Sequence, residues 1–292
     1  MTTLPISCYV RTQDEERMIG HVLEAASKVC NELIIVDSGS TDKTIEIAKS
    51  YGAKIIHQPW LGNGCQKRVG EQACTNDWVL DLDADEILDE TSVNSIKSAF
   101  QSMPNKTEVF SLTLVTVPPY GEVWHKTNLD PRNKLYNKTI YQQPDHKAWD
   151  QLELPSDARV TPLSGALLHY SFKGVEHMMN KSNKGSTSRA INGKLKPKML
   201  VIARIFVAFP FYFFRHYCQK GLWRQGVYGF IVAILGAFAR WLRDAKMLEV
   251  HYRNEGKGTY DDQGKVRDLN AQRLSKKVTG GTRKIIGARA TR

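Results

Sequence analysis

Acidic residues placed where a predicted strand ends give this chain its clearest chemistry. Asp83 and Asp85 stand two positions apart, directly after the apolar run 78–82. Side chains at positions i and i+2 of an extended segment point to the same side, so the two carboxylates would lie together. Like charges at that separation repel unless a cation lies between them, and carboxylate oxygens suit Mg²⁺ or Mn²⁺. The pair predicts a divalent-metal site facing a diphosphate; the alternative is a solvated acidic turn capping the helix that begins near Glu90 or Thr91.

The surrounding pattern predicts the sheet edge that would position this pair. Short apolar runs rich in β-forming residues alternate with stretches at helical spacing. This alternation predicts an α/β fold, a mostly parallel, Rossmann-like sheet flanked by helices, with ligands at the carboxyl ends of the strands. The predicted strands are 6–10, 32–36, 54–57, 78–82, 108–117 and 166–170, and the predicted helices are 18–26, 43–51, 65–73, 91–101 and 176–192.

Several polar residues in or next to these elements could bind a phosphate or cap a helix. Lys67 and Arg68, adjacent on one predicted helix, would neutralise a phosphate or else form a solvated helix face. Ser40 or Thr41 is expected to cap the helix that follows them, and Glu86 to cap the helix after the acidic pair.

The second half of this region differs from the first. The run 108–117 alternates apolar and polar residues, which predicts an antiparallel strand appended to the parallel sheet. The segment 124–154 is irregular and carries aromatic and acidic residues, so we expect it to contact an acceptor.

Composition narrows the class of protein. The chain has 292 residues, 41% hydrophobic and 24% charged, which predicts a globular protein with a core. Its five cysteines lack metal-ligand spacing, so free thiols in a reducing cytoplasm are expected. The first residues show no basic segment followed by an apolar one, and no export signal is expected there.

The net charge of +11 is concentrated after residue 173, next to two apolar stretches. Residues 199–214 and 226–239 are each shorter than the roughly 20 residues of a spanning helix. Basic residues and aromatics around them predict a helical pair in one leaflet of an anionic membrane; a buried hairpin in a soluble core is the alternative. The aromatics cluster with aliphatic residues instead of alternating with basic ones, so no nucleic-acid partner is expected.

Five segments resemble the inverting, GT-A-fold glycosyltransferases of family 2, and among them the bacterial lipopolysaccharide core β-glucosyltransferases. The resemblance is strong over residues 6–190. The matching segments are Thr-Gln-Asp-Glu-Glu at 12–16, Ile-Val-Asp-Ser-Gly-Ser-Thr-Asp at 35–42, Trp-Val-Leu-Asp-Leu-Asp-Ala-Asp-Glu at 78–86, Arg-Asn-Lys-Leu-Tyr at 132–136 and Leu-His-Tyr-Ser at 168–171.

The resemblance implies a UDP-sugar donor, whose uridine is held by the loop after the first strand and by the acid after the second. It also implies a divalent cation, Mg²⁺ or Mn²⁺, that bridges the diphosphate. The donor-binding residues so implied are Thr12, Glu15, Asp37, Ser38, Lys67, Arg68 and Asp83, with Asp85 as the metal ligand.

Relatives carry a Val-His-Asp or Val-His-Glu segment whose acid resembles the general base. The corresponding residues here are Ala148, Trp149 and Asp150, so Asp150 is the predicted base. The fallbacks are Asp145, His146, Glu153 and, if it does not cap the following helix, Glu86.

Aromatic and basic residues complete the predicted site. Trp124, Arg132 and Trp149 are the predicted acceptor-binding residues, although either tryptophan could instead be core. His169 and His177 are interpreted as core residues and not as ligands beside Asp85.

Together these features predict a domain of residues 1–195, with a donor half to about 105 and an acceptor half from 106. A membrane-associating helical region, 196–253, and a basic tail, 254–292, follow. The predicted function is metal-dependent, inverting transfer of a hexose, glucose from UDP-glucose, to a lipid-linked saccharide such as the lipopolysaccharide inner core. The protein would be peripheral, on the cytoplasmic face of the bacterial inner membrane.

Three alternatives differ in testable features. A polyprenyl-phosphate sugar synthase shares the fold but usually needs no segment like 124–154. A nucleotidyltransferase would open with a glycine-rich loop, and residues 12–16 contain no glycine. A non-catalytic membrane or nucleic-acid binding module would show salt-sensitive binding without any nucleotide effect.

Overall fold

The computed structural model describes residues 3–125 and 130–257. Its first part alternates strands and helices, as predicted, and the apolar positions at helical spacing are buried in α1. The elements are β1 (Leu4–Thr12), α1 (Ile19–Ser27), β2 (Cys30–Asp37), α2 (Thr44–Ser50), β3 (Lys54–His57), α3 (Asn63–Ala73), β4 (Trp78–Asp83), β5 (Glu86–Leu88) and α4 (Glu90–Ala99).

The second part adds three strands and a helical region. A π-helical turn, Arg215–Gln219, and a 3₁₀ turn, Leu222–Gln225, lie between the last two helices. The elements are β6 (Glu108–Thr116), β7 (Asp130–Asn137), β8 (Arg159–His169), α5 (Val175–Asn192), α6 (Lys198–Phe214) and α7 (Gly226–Asn254).

One sheet joins the described strands in the order β3-β2-β1-β4-β7-β6-β8-β5. The pairs β3–β2, β2–β1 and β1–β4 are parallel, which confirms the predicted α/β class. Strand β7 runs antiparallel to both β4 and β6, while β6 and β8 are parallel. The apolar core lies between the sheet and helices α1 and α4, with Ile6, Leu23, Leu80 and Ile96 fully buried.

Strand β7 was not predicted, because the segment 124–154 looked irregular. Its sequence, Asp-Pro-Arg-Asn-Lys-Leu-Tyr-Asn, has polar residues on both faces. Lys134 and Asn137 are nevertheless buried, so a charged side chain occupies a core position. Such a residue is tolerated only with a partner of opposite charge, which single-sequence patterning cannot supply.

Two predicted helix caps are wrong. Asp89 caps α4, accepting a hydrogen bond from Ser92 N at 2.7 Å, whereas Glu86 lies on β5. At α2, the capping side chain is Asp42 and not Ser40 or Thr41. The Asp42 carboxylate accepts a hydrogen bond from Thr44 N at 3.0 Å.

The C-terminal helices are longer than their apolar stretches. Continuous helical segments cover Lys198–Gln219, 22 residues, and Leu222–Asn254, 33 residues, so each is long and apolar enough to cross a membrane by length and composition. The expectation that both are too short is therefore wrong. Helix α7 continues through charged residues because Asp244, fully buried, pairs with Arg204 at 2.9 Å and with Arg243 at 3.3 Å.

Most of this helical surface is not covered by protein. Only 11% and 22% of the most apolar windows of the two segments are buried, which contradicts a hairpin inside a soluble core. Helix α5 packs on the pair through Ala190 with Val201 and Met247, and through Lys246, whose Nζ donates to Asn183 Oδ1 at 2.6 Å. Of the predicted basic tail, residues 258–292 lie outside the described residues.

A pair of glycines tests the packing of β8 on α4. Gly165 in β8 has φ +96°, and a Cβ there would lie 2.3 Å from Ser92 N, so Gly165→Ala should cost at least ~2 kcal/mol of unfolding free energy. Gly185 in α5 has open space around its Cβ position, so Gly185→Ala should stabilise the protein by up to ~1 kcal/mol. Urea denaturation followed by circular dichroism measures both, and equal effects would contradict the described register of β8 on α4.

Candidate active site

The site lies where the carboxyl ends of β1 and β4 meet. Strand β1 sits between β2 and β4, so the strand order reverses beside it. Ligands of open α/β sheets bind outside the carboxyl ends of the strands at such a reversal. Thr12 and Asp83 are the last residues of the two strands, and Arg11 lies opposite Asp83 in the parallel register. Two recesses open beside Asp83, which lines both.

The outer recess, of about 380 Å³, holds most of the residues predicted to bind a donor. Among the described residues, Thr12 Oγ1 and Glu15 Oε2 are buried without a hydrogen-bond partner. Burial raises the pKa of Glu15. Because unpartnered buried oxygens are costly, they indicate where a ligand or water would bind. The recess is lined by Arg11, Thr12, Gln13, Glu15, Ser38, Trp60, Asn63, Asp83, Ala84, Asp85, His169 and Lys181.

Asp37 fixes the turn after β2. Its buried carboxylate accepts hydrogen bonds from Gly39 N at 3.1 Å and from Ser40 Oγ at 2.6 Å. Burial raises the pKa of Asp37, but the hydrogen bonds from Ser40 outweigh it and leave that pKa below its ordinary value. Asp37 is thus a fixed anion at the end of β2, and the neighbouring Ser38 lines the outer recess.

Asp85 lies beside His169, the last residue of β8. Asp85 Oδ2 is 3.4 Å from His169 Nε2 and 4.0 Å from Lys181 Nζ. Burial acts to raise the pKa of Asp85, but the hydrogen bond from His169 lowers it overall. His169 was interpreted as a core residue; the pairing of β8 with β5, which sets His169 opposite Glu86, brings it to the recess instead.

The two side chains suit a divalent cation that a ligand would complete. Within residues 3–125 and 130–257, no three His, Cys, Asp or Glu side chains cluster as a metal site. Asp85 would supply a carboxylate ligand, with phosphate oxygens and water beside it, as is usual where Mg²⁺ or Mn²⁺ binds together with a phosphate substrate. His169 would add an imidazole nitrogen next to that carboxylate. The chemistry of Asp85 and His169 therefore fits the implied cation.

The inner recess, of about 180 Å³, lies on the other side of Asp83 and contains Asp150. It is the meeting point of β4, β7 and the segment that follows β7. Its lining is rich in charge of both signs: Lys67, Asp81, Asp83, Glu86, Leu114, Pro131, Arg132, Asn133, Lys134, Asp150, Gln151, Leu152 and His169.

Buried ion pairs form the floor of the inner recess. Lys67 Nζ lies 2.8 Å from Asp81 Oδ2 and 3.5 Å from Asp83 Oδ1, and Lys134 Nζ lies 2.6 Å from Glu86 Oε2. Burial lowers the pKa of Lys134, but the charges of Asp81, Glu86 and Asp83 outweigh this and raise it. Lys67 is therefore neither a solvated residue nor a free phosphate ligand: its ammonium group neutralises the two aspartates of β4.

Arg11 is a site residue that sequence reasoning missed, as it missed Lys134 and Lys181. Its Nε lies 2.8 Å from Asp83 Oδ1 and its Nη2 lies 2.7 Å from Asp150 Oδ2. Nη1 donates to the carbonyl oxygen of Asn63 at 3.1 Å. The available signal was its place next to Thr12, at the carboxyl end of a predicted strand.

Two predicted site residues lie elsewhere. Arg68 points away from both recesses, because its guanidinium donates to Gln143 O and to Gln142 Oε1, each at 2.7 Å. Trp124 is 3% exposed and packs with Leu222 and Ala233, so it belongs to the contact between the sheet and the C-terminal helices and not to a sugar-stacking surface.

The remaining acceptor candidates stay near the inner recess. Arg132 lines it and pairs with Asp130 at 2.7 Å. Trp149, adjacent to Asp150, is 46% exposed and is available for stacking. His146 Nδ1 accepts hydrogen bonds from Ala148 N and Trp149 N, so this fallback base shapes the turn before Asp150.

Comparison with known proteins fits this geometry. Residues 6–152 match the family model described as glycosyl transferase family 2. An uncharacterised glycosyltransferase of Rickettsia typhi is 31% identical over 255 residues, covering 84% of this chain and 87% of that protein.

This chain belongs to glycosyl transferase family 2. The transferase is also 30% identical over 261 residues to LpsC of Rhizobium meliloti, a lipopolysaccharide core biosynthesis glycosyltransferase, covering 85% of this chain and 93% of that protein. The crystal structure of Staphylococcus aureus TarS 1–349 with UDP-GlcNAc gives a TM-score of 0.43 at 15% identity, over 86% of this chain and 92% of that chain.

The buried pair at Lys134 generates a stability prediction. Lys134→Met leaves Glu86 without its cation, which should lower the free energy of unfolding by about 3 kcal/mol or more. Lys106→Met removes an exposed ion pair, in which Lys106 Nζ lies 3.6 Å from Asp77 Oδ2 and the lysine side chain is 65% exposed. This variant should lower the free energy of unfolding by less than ~1 kcal/mol. Urea denaturation measures both, and similar losses would show that the transferase does not depend on the buried pair.

Proposed function

We propose that the transferase moves a hexose, glucose from UDP-glucose, to a lipid-linked saccharide such as the lipopolysaccharide inner core. The observation that carries this proposal is the pair of recesses that share Asp83, one containing Asp85 and the other Asp150. A donor in the outer recess and an acceptor in the inner recess would meet at Asp83. The similarity to LpsC supports the acceptor class.

Donor binding would use the outer recess. Thr12 Oγ1 and Glu15 Oε2, buried without partners in the described part of the chain, would receive polar groups of the nucleoside, with Ser38 beside them. Asp85 and His169 would hold a divalent cation, whose charge would stabilise the leaving diphosphate. Lys181, 4.0 Å from Asp85, would add a positive charge on the same side.

The transfer step would be a direct displacement with inversion. Asp150 would accept the proton of the attacking hydroxyl while the new C1–O bond forms and the bond from C1 to the diphosphate breaks. Such a displacement would need no covalent intermediate, because Asp150 and the leaving diphosphate would lie on opposite sides of the donor carbon. Arg132 and the exposed ring of Trp149 would orient the acceptor saccharide.

Two isosteric variants separate donor binding from transfer. Asp85→Asn should lose the Mn²⁺-dependent part of the thermal stabilisation by UDP and should lose transfer as well. Asp150→Asn should keep that stabilisation but lower transfer at least ~100-fold, the lower range for general-base catalysis. Thermal shift with UDP and Mn²⁺, and UDP release from UDP-glucose with lipid acceptor, measure the two effects. Normal turnover in either variant would overturn its assigned role.

The C-terminal helices would bring the site to its lipid-linked acceptor. Phe206 is 78% exposed and Phe211 60% exposed, and the basic residues Arg215 and Arg224 are exposed nearby in the chain. Charges lie along both helices, including the pair of Arg204 with Asp244, which favours an interfacial position over a crossing. We therefore propose a peripheral transferase, on the cytoplasmic leaflet of the bacterial inner membrane.

A vesicle experiment tests the membrane role. Replacing Phe206 and Phe211 together by Ser should weaken co-sedimentation with anionic vesicles about tenfold or more, because two exposed aromatic rings no longer enter the interface. Met103→Ser, at a position 63% exposed in another part of the molecule, is the control and should bind as before. Unchanged binding of the double variant would contradict this attachment surface.

A further inference from the structure

Arg11 joins three segments that are distant in the chain. Its guanidinium contacts Asp83 at the end of β4, Asp150 in the segment after β7, and the Asn63 carbonyl at the start of α3. The side chain of Arg11 is 17% exposed, and those of Asp83 and Asp150 are 24% and 27% exposed. The contact is thus largely shielded from water and holds both carboxylates by charge-assisted hydrogen bonds.

The fork of the guanidinium fixes the direction of each carboxylate. Nε and Nη2 lie on one edge of a rigid plane, so Asp83 Oδ1 and Asp150 Oδ2 cannot move independently. Within the described part of the chain, Asp150 Oδ1 accepts no hydrogen bond from protein, and it remains available to an acceptor hydroxyl. An ammonium group has no such plane and would lose the coupled orientation.

The side chain of Arg11 is largely shielded from water, so this contact is not a simple surface pair. Its charge is flanked by those of Asp83, Asp150 and Asp81, which raise its pKa despite the opposing effect of burial. The guanidinium therefore stays charged. Arg11 lines the outer recess, and its guanidinium reaches Asp150, which lines the inner recess.

We propose that Arg11 is a positioning residue that sets the general base: it holds Asp150 at a fixed angle to Asp83, so that the acceptor hydroxyl and the donor carbon are aligned. This inference rests on the proposed function, because it assigns a role relative to Asp150. Arg11 would act through these two carboxylates, to which its Nε and Nη2 donate. Misalignment of a reactive pair lowers turnover more than it lowers substrate affinity.

The test compares Arg11→Lys and Arg11→Ala with the native transferase. Arg11→Lys should lower kcat roughly 10- to 100-fold with little change in the KM for UDP-glucose. Arg11→Ala should be rescued in part by added guanidinium ions and not by ammonium ions, since only the former restores a planar fork. Arg159→Lys is the matched control, because Arg159 is 80% exposed in its pair with Glu108; its kcat should stay native.

Each outcome decides the inference. A kcat of Arg11→Lys equal to native, a raised KM at native kcat, or loss of UDP-dependent thermal stabilisation would each overturn it. Selective rescue by guanidinium ions together with a retained KM would support it. Asp150→Asn, assayed in parallel, separates the two proposals: an active Asp150→Asn refutes the base assignment itself, whereas an inactive Asp150→Asn with native Arg11→Lys refutes only the role of Arg11.

Discussion

This site depends on buried acidic and basic side chains that neutralise one another at the carboxyl ends of β1 and β4. Three acids, Asp81, Asp83 and Glu86, lie within six positions at the edge of the core. They are compatible with burial because cations from three other elements stand among them: Arg11 from β1, Lys67 from α3 and Lys134 from β7. A buried charge without its partner costs several kcal/mol, roughly 3–5, so the elements that carry these cations cannot shift separately.

This arrangement also divides the site. Arg11, Lys67 and Lys134 hold the pKa of Asp83 well below its ordinary range, although burial acts to raise it. A charged Asp83 therefore forms the wall between the outer and inner recesses, with Asp85 on one side and Asp150 on the other. Helix α5 extends from this region to the C-terminal helices, on which it packs through Ala190, so the site and the exposed apolar surface belong to one connected structure.

Local pattern was sufficient wherever neighbours in sequence supply the interaction. The strands β1 to β4 and the helices between them follow from apolar spacing, and the acidic pair at the end of β4 follows from the family segments. The same reasoning failed at β7, whose buried Lys134 is compatible with a strand only through Glu86, 48 positions away in the chain. It failed at the end of α7 too, where the ion pairs of Asp244 with Arg204 and Arg243 keep charged residues within the helix.

The sequence by itself determined the family, the α/β order and which acids stand at the end of β4. Only the tertiary structure decided which charged residues reach the site. Lys67 and Arg68 are adjacent, but successive helix positions point about 100° apart. Lys67 therefore pairs with Asp81, whereas Arg68 donates hydrogen bonds to Gln142 and Gln143. Pairing of distant segments placed Arg11 against Asp150, brought His169 to Asp85 and buried Trp124 under the last helices. These contacts are long-range in sequence, and their energies depend on partners that no local window contains.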